Sequence, residues 1–191
     1  MLATIEDSGR QLNRFAVNLL DAGRLEAGSL VLNRDWWEVD DLFGAVLDRI
    51  DEETCARVTL DVAAGLPLLY LDFALMERVF ANLLDNARKY SPPETPIEIS
   101  AHERDGRVVL EVTNTISGPA PDPARLFERF YRADDRPDAQ GTGLGLSICK
   151  GFVEAQGGTI AARADGAAMT IALTFAIAEA GRRFAAEFAD E

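Results

Sequence analysis

The sequence has little histidine, cysteine or lysine. Its 191 residues include one histidine, His102, and two cysteines, Cys55 and Cys149, which are far apart and lack metal-ligand spacing. The cysteines read as small, buried, reduced thiols of a cytoplasmic protein. Lysine occurs only at Lys89 and Lys150. No run of ~18 apolar residues exists, which excludes a transmembrane span. The opening MLATIEDSGRQ has no basic segment followed by an apolar one, so it does not read as a signal peptide. Positive charge is also scarce. A net charge of −13 argues against nucleic acid or an anionic membrane as the main partner. A polyphosphate ligand would need a local cluster of donors and cations.

What is present is enough apolar sequence, 48%, for one sizeable core plus an appended element. The most informative stretch is Glu77–Tyr90, ERVFANLLDNARKY. Met76, Val79, Phe80, Leu83 and Ala87 form a helical apolar stripe. Asn82, Asn86 and Lys89 fall at i, i+4 and i+7 and share a second face. Asparagine is a poor helix-interior residue, because its amide competes for backbone hydrogen bonds. Two in register, followed by a lysine, point to a helix with one face on a core and another on a polar ligand.

Around this stretch the elements follow in order. Thr4–Glu26 reads as a helix with Ile5, Leu12 and Leu19 seven residues apart, a bundle seam that needs a partner helix. Gly28 is placed to cap it. Ser29–Glu38 has β character, and Asp40 or Asp41 is expected to cap a helix reaching about Asp51. Arg57–Val62 alternates as a strand, and Leu68–Leu71 is a short apolar strand. Asp72 suits the N-cap of the central helix, with Leu71 and Met76 as a hydrophobic staple. Pro92-Pro93 ends that helix.

A hairpin follows, Ile97–Glu103 and Arg107–Asn114, turning at Asp105-Gly106. From Thr115 to about Gln140 the pattern stops, with prolines, scattered charge and one helical patch, Leu126–Arg132. So long a loop inside a compact domain suggests a lid or binding loop. Gly141, Gly143 and Gly145 then precede a helix that uses Leu146, Ile148, Phe152 and Val153 and closes at Gly157-Gly158. Two strands, Thr159–Ala164 and Met169–Phe175, complete the domain. The tail from Glu179 is expected to be helical, with Phe184 and Phe188 on one side.

The glycine triplet outlines a phosphate site, because glycines let backbone N–H groups approach an anion next to a helix N-terminus. It has neither the G-x-G-x-x-G spacing of a dinucleotide site nor the Gly-Lys-Ser/Thr of a P-loop.

Together, NLLDNARKY, LFERFYR and GTGLGLSI resemble the N-box, F-box and second glycine box of the ATP-binding region of sensor histidine kinases, in the GHKL ATPase superfamily. LDFALMERVFANLLDNARKYSPP and GLSICKGFVEAQGG look most similar to the potassium-responsive, Kdp-type sensor kinases. The resemblance implies an α+β fold, a two-layer α/β sandwich in which a mixed, mostly antiparallel sheet packs on three helices. Residues 1–27 resemble the second helix of a dimerisation hairpin. Residues 28–177 correspond to the ATP-binding kinase domain, with a lid at about 115–141, and 178–191 are a tail.

The implied ligands are ATP and Mg²⁺. By resemblance, Asn86 is the metal ligand and Lys89 a phosphate contact, while Tyr90 flanks the base or sugar. Arg132 reaches the phosphates from the lid, and Gly141, Thr142, Gly143, Leu144, Gly145 and Leu146 wrap them. Asn82 stands where ATP-hydrolysing relatives carry a glutamate base. An amide cannot take a proton from water at pH 7, so this site is expected to hold ATP for transfer without hydrolysing it. Implied partners are the parent kinase's dimerisation hairpin and a response regulator, with a homodimer forming through the N-terminal helix. The expected location is the cytoplasm, with the parent kinase anchored in the inner membrane.

Two departures from the family pattern stand out. The first glycine box, usually Asp-x-Gly-x-Gly, reads Asn114-Thr-Ile-Ser-Gly118, so a neutral carbonyl replaces the carboxylate that accepts from the adenine amino group. The acceptor histidine is absent, and His102 reads as an exposed strand residue. The chain is therefore expected to be a truncated kinase that does not phosphorylate itself. The alternatives are a degenerate docking or phosphotransfer module, and a serine-kinase anti-sigma factor of the same superfamily.

Overall fold

The structure, a computed structural model, describes residues 2–118, 120–132 and 142–182. Helix α1 spans Leu2–Glu26 and is closed by Gly28, whose φ of +60° lets the Ser29 amide reach back to the Arg24 carbonyl. The β character expected over 29–38 narrows to strand β1, Asp35–Trp37. Helix α2, Val39–Leu47, starts at Glu38 without a side-chain cap. Neither Asp40 nor Asp41 caps it. Both lie inside its first turn, where their charge complements the helix dipole. The helix also ends short of Asp51, which instead caps a separate turn of helix, α3, Glu52–Cys55.

Strands β2, Val58–Val62, and β3, Leu69–Leu71, precede helix α4, Phe73–Tyr90. The hairpin is β4, Ile97–Arg104, and β5, Arg107–Thr115. Its turn works because Asp105 and Gly106 both take positive φ, the twist a two-residue hairpin loop needs. Helix α5, Gly145–Ala155, and strands β6, Thr159–Asp165, and β7, Ala168–Ala176, follow. Residues 179–182 enter a helical turn, while Phe184 and Phe188 lie outside the described residues.

The main sheet runs β2-β4-β5-β7-β6, antiparallel except for the parallel β2–β4 edge. One face carries Ile97, Ile99, Ala101, Val108, Leu110, Val112, Leu173 and Phe175, all buried. Against it lie α4 and α5, with α2 beside α4. This is the expected two-layer sandwich. Phe80 of α4 meets Phe43 of α2 edge-on at 5.1 Å, and both are fully buried. On edge strand β2, Val58 and Val62 pack on the core while Leu60 between them is exposed. A second sheet pairs β1 with β3 and sets Trp36 against Tyr70.

The last turns of α1 dock on this sandwich. Asp21 is buried and pairs with Arg78 of α4, whose guanidinium lies over the Phe152 ring of α5. A Cβ at Gly151 would stand 2.5 Å from Leu25 Cδ1, so glycine there admits the leucine. Further towards the N-terminus, Leu12, Phe15, Leu19 and Leu20 remain exposed.

Candidate functional site

Both ends of α4 are fixed by side chains. Asp72 accepts from the Leu75 amide at its N-terminus, and Leu71 and Met76 are both buried as the staple requires. At its C-terminus, Pro92-Pro93 stop the helix. The Ser91 hydroxyl donates to the Ala87 carbonyl at 2.5 Å. The helix thereby carries Asn86, Lys89 and Tyr90 to the mouth of a cavity of about 670 Å³.

One wall is α4, lined by Leu83, Asn86, Ala87, Lys89 and Tyr90. The floor comes from the sheet. Asn114 is opposite Met169, and Val112 opposite Ile171, across the β5–β7 register, and all four line the cavity. The far side is Ile116–Gly118, Pro121, Leu126, Tyr131 and Arg132, with Gly143, Gly145 and Leu146 closing it beside α5. The patch Leu126–Arg132, expected to be helical, is a string of turns. It is held by Glu128 N–H to Arg125 and Tyr131 N–H to Glu128, and Arg125 lies over the Tyr131 ring.

Gly143 joins the two parts of this far side. Its φ is +69°, and a Cβ there would come within 2.7 Å of the Phe130 backbone. The Phe130 amide donates to the Gly143 carbonyl at 2.9 Å, while Phe130 itself takes a φ of +62°. Only glycine permits this approach. Strain at a non-glycine residue is tolerated where surrounding contacts over-determine it.

The site residues read from the sequence divide in two. Asn86, Lys89, Tyr90, Asn114, Gly118, Arg132, Gly143, Gly145 and Leu146 converge on the cavity. Asn82, Thr142 and Leu144 do not line it. Asn82 faces α5, its Oδ1 3.5 Å from where a Gly145 Cβ would be. The Thr142 hydroxyl accepts from the Leu144 amide, and Leu144 is buried in the core. Gly141 lies outside the described residues. Cys149 is buried next to Asn82, and burial pushes its thiol up to about 12, whereas Cys55 is exposed, against expectation. His102 is half-buried on β4 and not fully exposed.

Polar residues beyond the expected set also matter. Asp85 holds Lys89 Nζ at 2.5 Å and Arg88 at 3.0 Å, a pairing visible in the Asp-x-x-x-Lys spacing. Ser91 accepts from Asn114 Nδ2. Met169 and Ile171 enter the site only through strand register, which no local pattern announces. Among the described residues no three His, Cys, Asp or Glu side chains gather as a metal site. The donor set at the mouth is one neutral amide oxygen, Asn86, beside cations and glycine backbone. That suits a hard divalent ion held chiefly by a ligand's own oxygens and water.

Comparison with known proteins places this geometry. The profile of the family described as Histidine kinase-, DNA gyrase B-, and HSP90-like ATPase matches residues 72–179. The sensor protein KdpD of Escherichia coli K12 is 34% identical over 78% of this chain. KdpD of Mycobacterium tuberculosis is 35% identical over 94% of it. The chain spans only 17% and 22% of those two relatives. The crystal structure of full-length ShkA in complex with AMPPNP has a TM-score of 0.77 and 26% identity, covering 92% of this chain and 38% of that one. Helix α4, the glycine segment before α5 and the sheet floor between them all lie within the matched residues, and the chain belongs to the histidine kinase-, DNA gyrase B- and HSP90-like ATPase family.

Proposed function

We propose that the cavity binds Mg-ATP and that the chain is the ATP-binding catalytic part of a two-component sensor histidine kinase. The observation that carries this reading is the convergence of Asn86, Lys89, Asn114, Arg132, Gly143 and Gly145, distant in sequence, on one cavity. The two similar sensor proteins and the AMPPNP held by ShkA support it.

In this reading Asn86 offers its amide oxygen to Mg²⁺, which neutralises phosphate charge when bound. Lys89 exchanges Asp85 for a phosphate oxygen. Arg132 brings a planar guanidinium to the phosphates from the lid. The Gly143–Gly145 backbone lines the phosphate end, with Thr142 holding the turn before α5 through the Leu144 amide, Tyr90 flanks the nucleoside, and Asn114 accepts from the adenine amino group. Asn82, packed on α5, supplies no base for water, so ATP is kept for transfer. Catalysis consists of positioning and electrostatics. The γ-phosphoryl group goes to a histidine outside this chain, on a dimerisation hairpin, and from there to a response regulator. The exposed stripe of α1 suits packing within that hairpin and against a second copy.

Calorimetric titration of the chain with ATP, with and without Mg²⁺, tests this. Mg²⁺ is expected to tighten binding, and Asn86→Ala to weaken the Mg²⁺-dependent complex by about tenfold. Absence of binding at millimolar ATP would falsify the reading. Labelled phosphate is expected on a separately supplied dimerisation hairpin and not on His102.

A further inference from the structure

The hydrogen bonds at the C-terminal end of α4 do more than stop the helix. The Ser91 hydroxyl has one proton, and it goes to the Ala87 carbonyl at 2.5 Å. A carbonyl only accepts, so that proton is committed and Ser91 Oγ presents lone pairs to everything else. Asn114 Nδ2 donates to this oxygen at 3.1 Å and to the Thr115 carbonyl, also at 3.1 Å. Both partners are acceptors. Turning the amide over would place Oδ1 against two acceptors and strand the NH₂ group. Ser91 and Asn114 are 9% and 8% exposed, so little water is at hand to relieve such an error. With both amide protons engaged, Asn114 has an acceptor, Oδ1, left to offer the cavity it lines.

We infer that Ser91 is a specificity-determining residue: by giving its proton to Ala87 it holds Asn114 as an acceptor, selecting a purine with a 6-amino over a 6-oxo group. The inference rests on the nucleotide-site reading above. A 6-amino group donates to Oδ1, whereas a 6-oxo group meets it lone pair to lone pair. A carboxylate at position 114 accepts whichever way it turns, but an amide there discriminates only if something orients it. Ser91 is the side chain that orients it, beside the Thr115 carbonyl, and its own direction is set by the helix it caps.

The experiment compares ATP with inosine triphosphate, which carries a 6-oxo group on the same sugar and phosphates, by calorimetry on the whole chain. Wild type is expected to favour ATP by about tenfold or more. Ser91→Ala should cut that ratio by about fivefold. Ser91→Thr, which keeps the hydroxyl, should restore it. In an Asn114→Asp background, Ser91→Ala should leave the ratio unchanged, because a carboxylate cannot be misoriented. Should Ser91→Ala not fold, Ser91→Cys, near in size with a weak acceptor, carries the same expectation. An equal loss of both nucleotides in Ser91→Ala would show a helix cap only and overturn the inference. So would an unchanged ratio, or equal binding of both nucleotides by wild type, while the nucleotide-site reading stands in all three cases. If wild type binds neither nucleotide, the reading falls and the inference falls with it.

Discussion

The two ends of α4 carry buried polar groups that are used in opposite ways. At the N-terminus, Asp72 accepts from the amides of Leu75 and Asn33. Its own amide donates to Gln156 Oε1 at 2.6 Å, and Gln156 Nε2 donates to the Phe152 carbonyl. Every bond closes within the protein, tying the start of α4 to the end of α5. At the C-terminus, Ser91 and Asn114 are equally buried, yet their bonds leave an acceptor beside the cavity. Asn86 and Lys89 open onto the same space. A closed network serves the fold, and a network with capacity left over serves a ligand.

The comparison can be broken most severely at Asp72. Asp72→Ala removes the cap and orphans two amides, and should cost about 2–3 kcal/mol of stability in urea unfolding. Nucleotide affinity of the folded fraction should not change. A loss of affinity equal to that of Asn86→Ala would erase the distinction between the ends.

Across from the middle of α4, Cys149 of α5 tests how tightly the α4–α5 seam is closed. Its folded pKa, about 12, lies above the ordinary thiol value of 9.0 because burial disfavours the thiolate. Below pH 9 the group has no effect on stability. As pH rises from there towards 12 the unfolded chain loses the proton that the folded chain keeps, so stability falls. Cys149→Ala should reduce that alkaline loss. At pH 8 a thiol reagent should modify Cys55 and spare Cys149 until denaturant is added.

The smallest effect belongs to the exposed pair Glu26–Arg129, which links the end of α1 to the turns beside the mouth. Glu26→Gln should cost under about 1 kcal/mol, because both partners are largely in solvent. A larger loss would make α1 part of the site's closed framework.

Much of this architecture was legible in the sequence. The apolar stripe of α4, its Asp72 cap, the Pro92-Pro93 stop and the Asp105-Gly106 turn are local signals, and all appear as read; of the glycine triplet, Gly143 precedes α5, Gly145 opens it and Gly141 lies outside the described residues. Local rules failed where a neighbour overrode them. The β character of 29–38 shrank to three paired residues, because only those meet β3. Leu126–Arg132 has helical spacing but follows the pull of Gly143 on Phe130. Leu144, next to glycines that line the cavity, turned inward to the core.

The sequence by itself determined which residues have the chemistry: asparagines in register on one helix, a lysine one turn on, and glycines before another helix. Spacing of 3.6 and 2 residues sets faces, and proline and glycine set ends, without reference to the rest of the chain. Only the tertiary structure decided which of them share a cavity. Strand register brought Met169 opposite Asn114 and Ile171 opposite Val112, α5 drew Asn82 away, and the Ser91 proton set the direction of an amide 23 residues ahead. Such choices depend on which donor meets which acceptor once water is excluded, and that is settled only when distant segments pack.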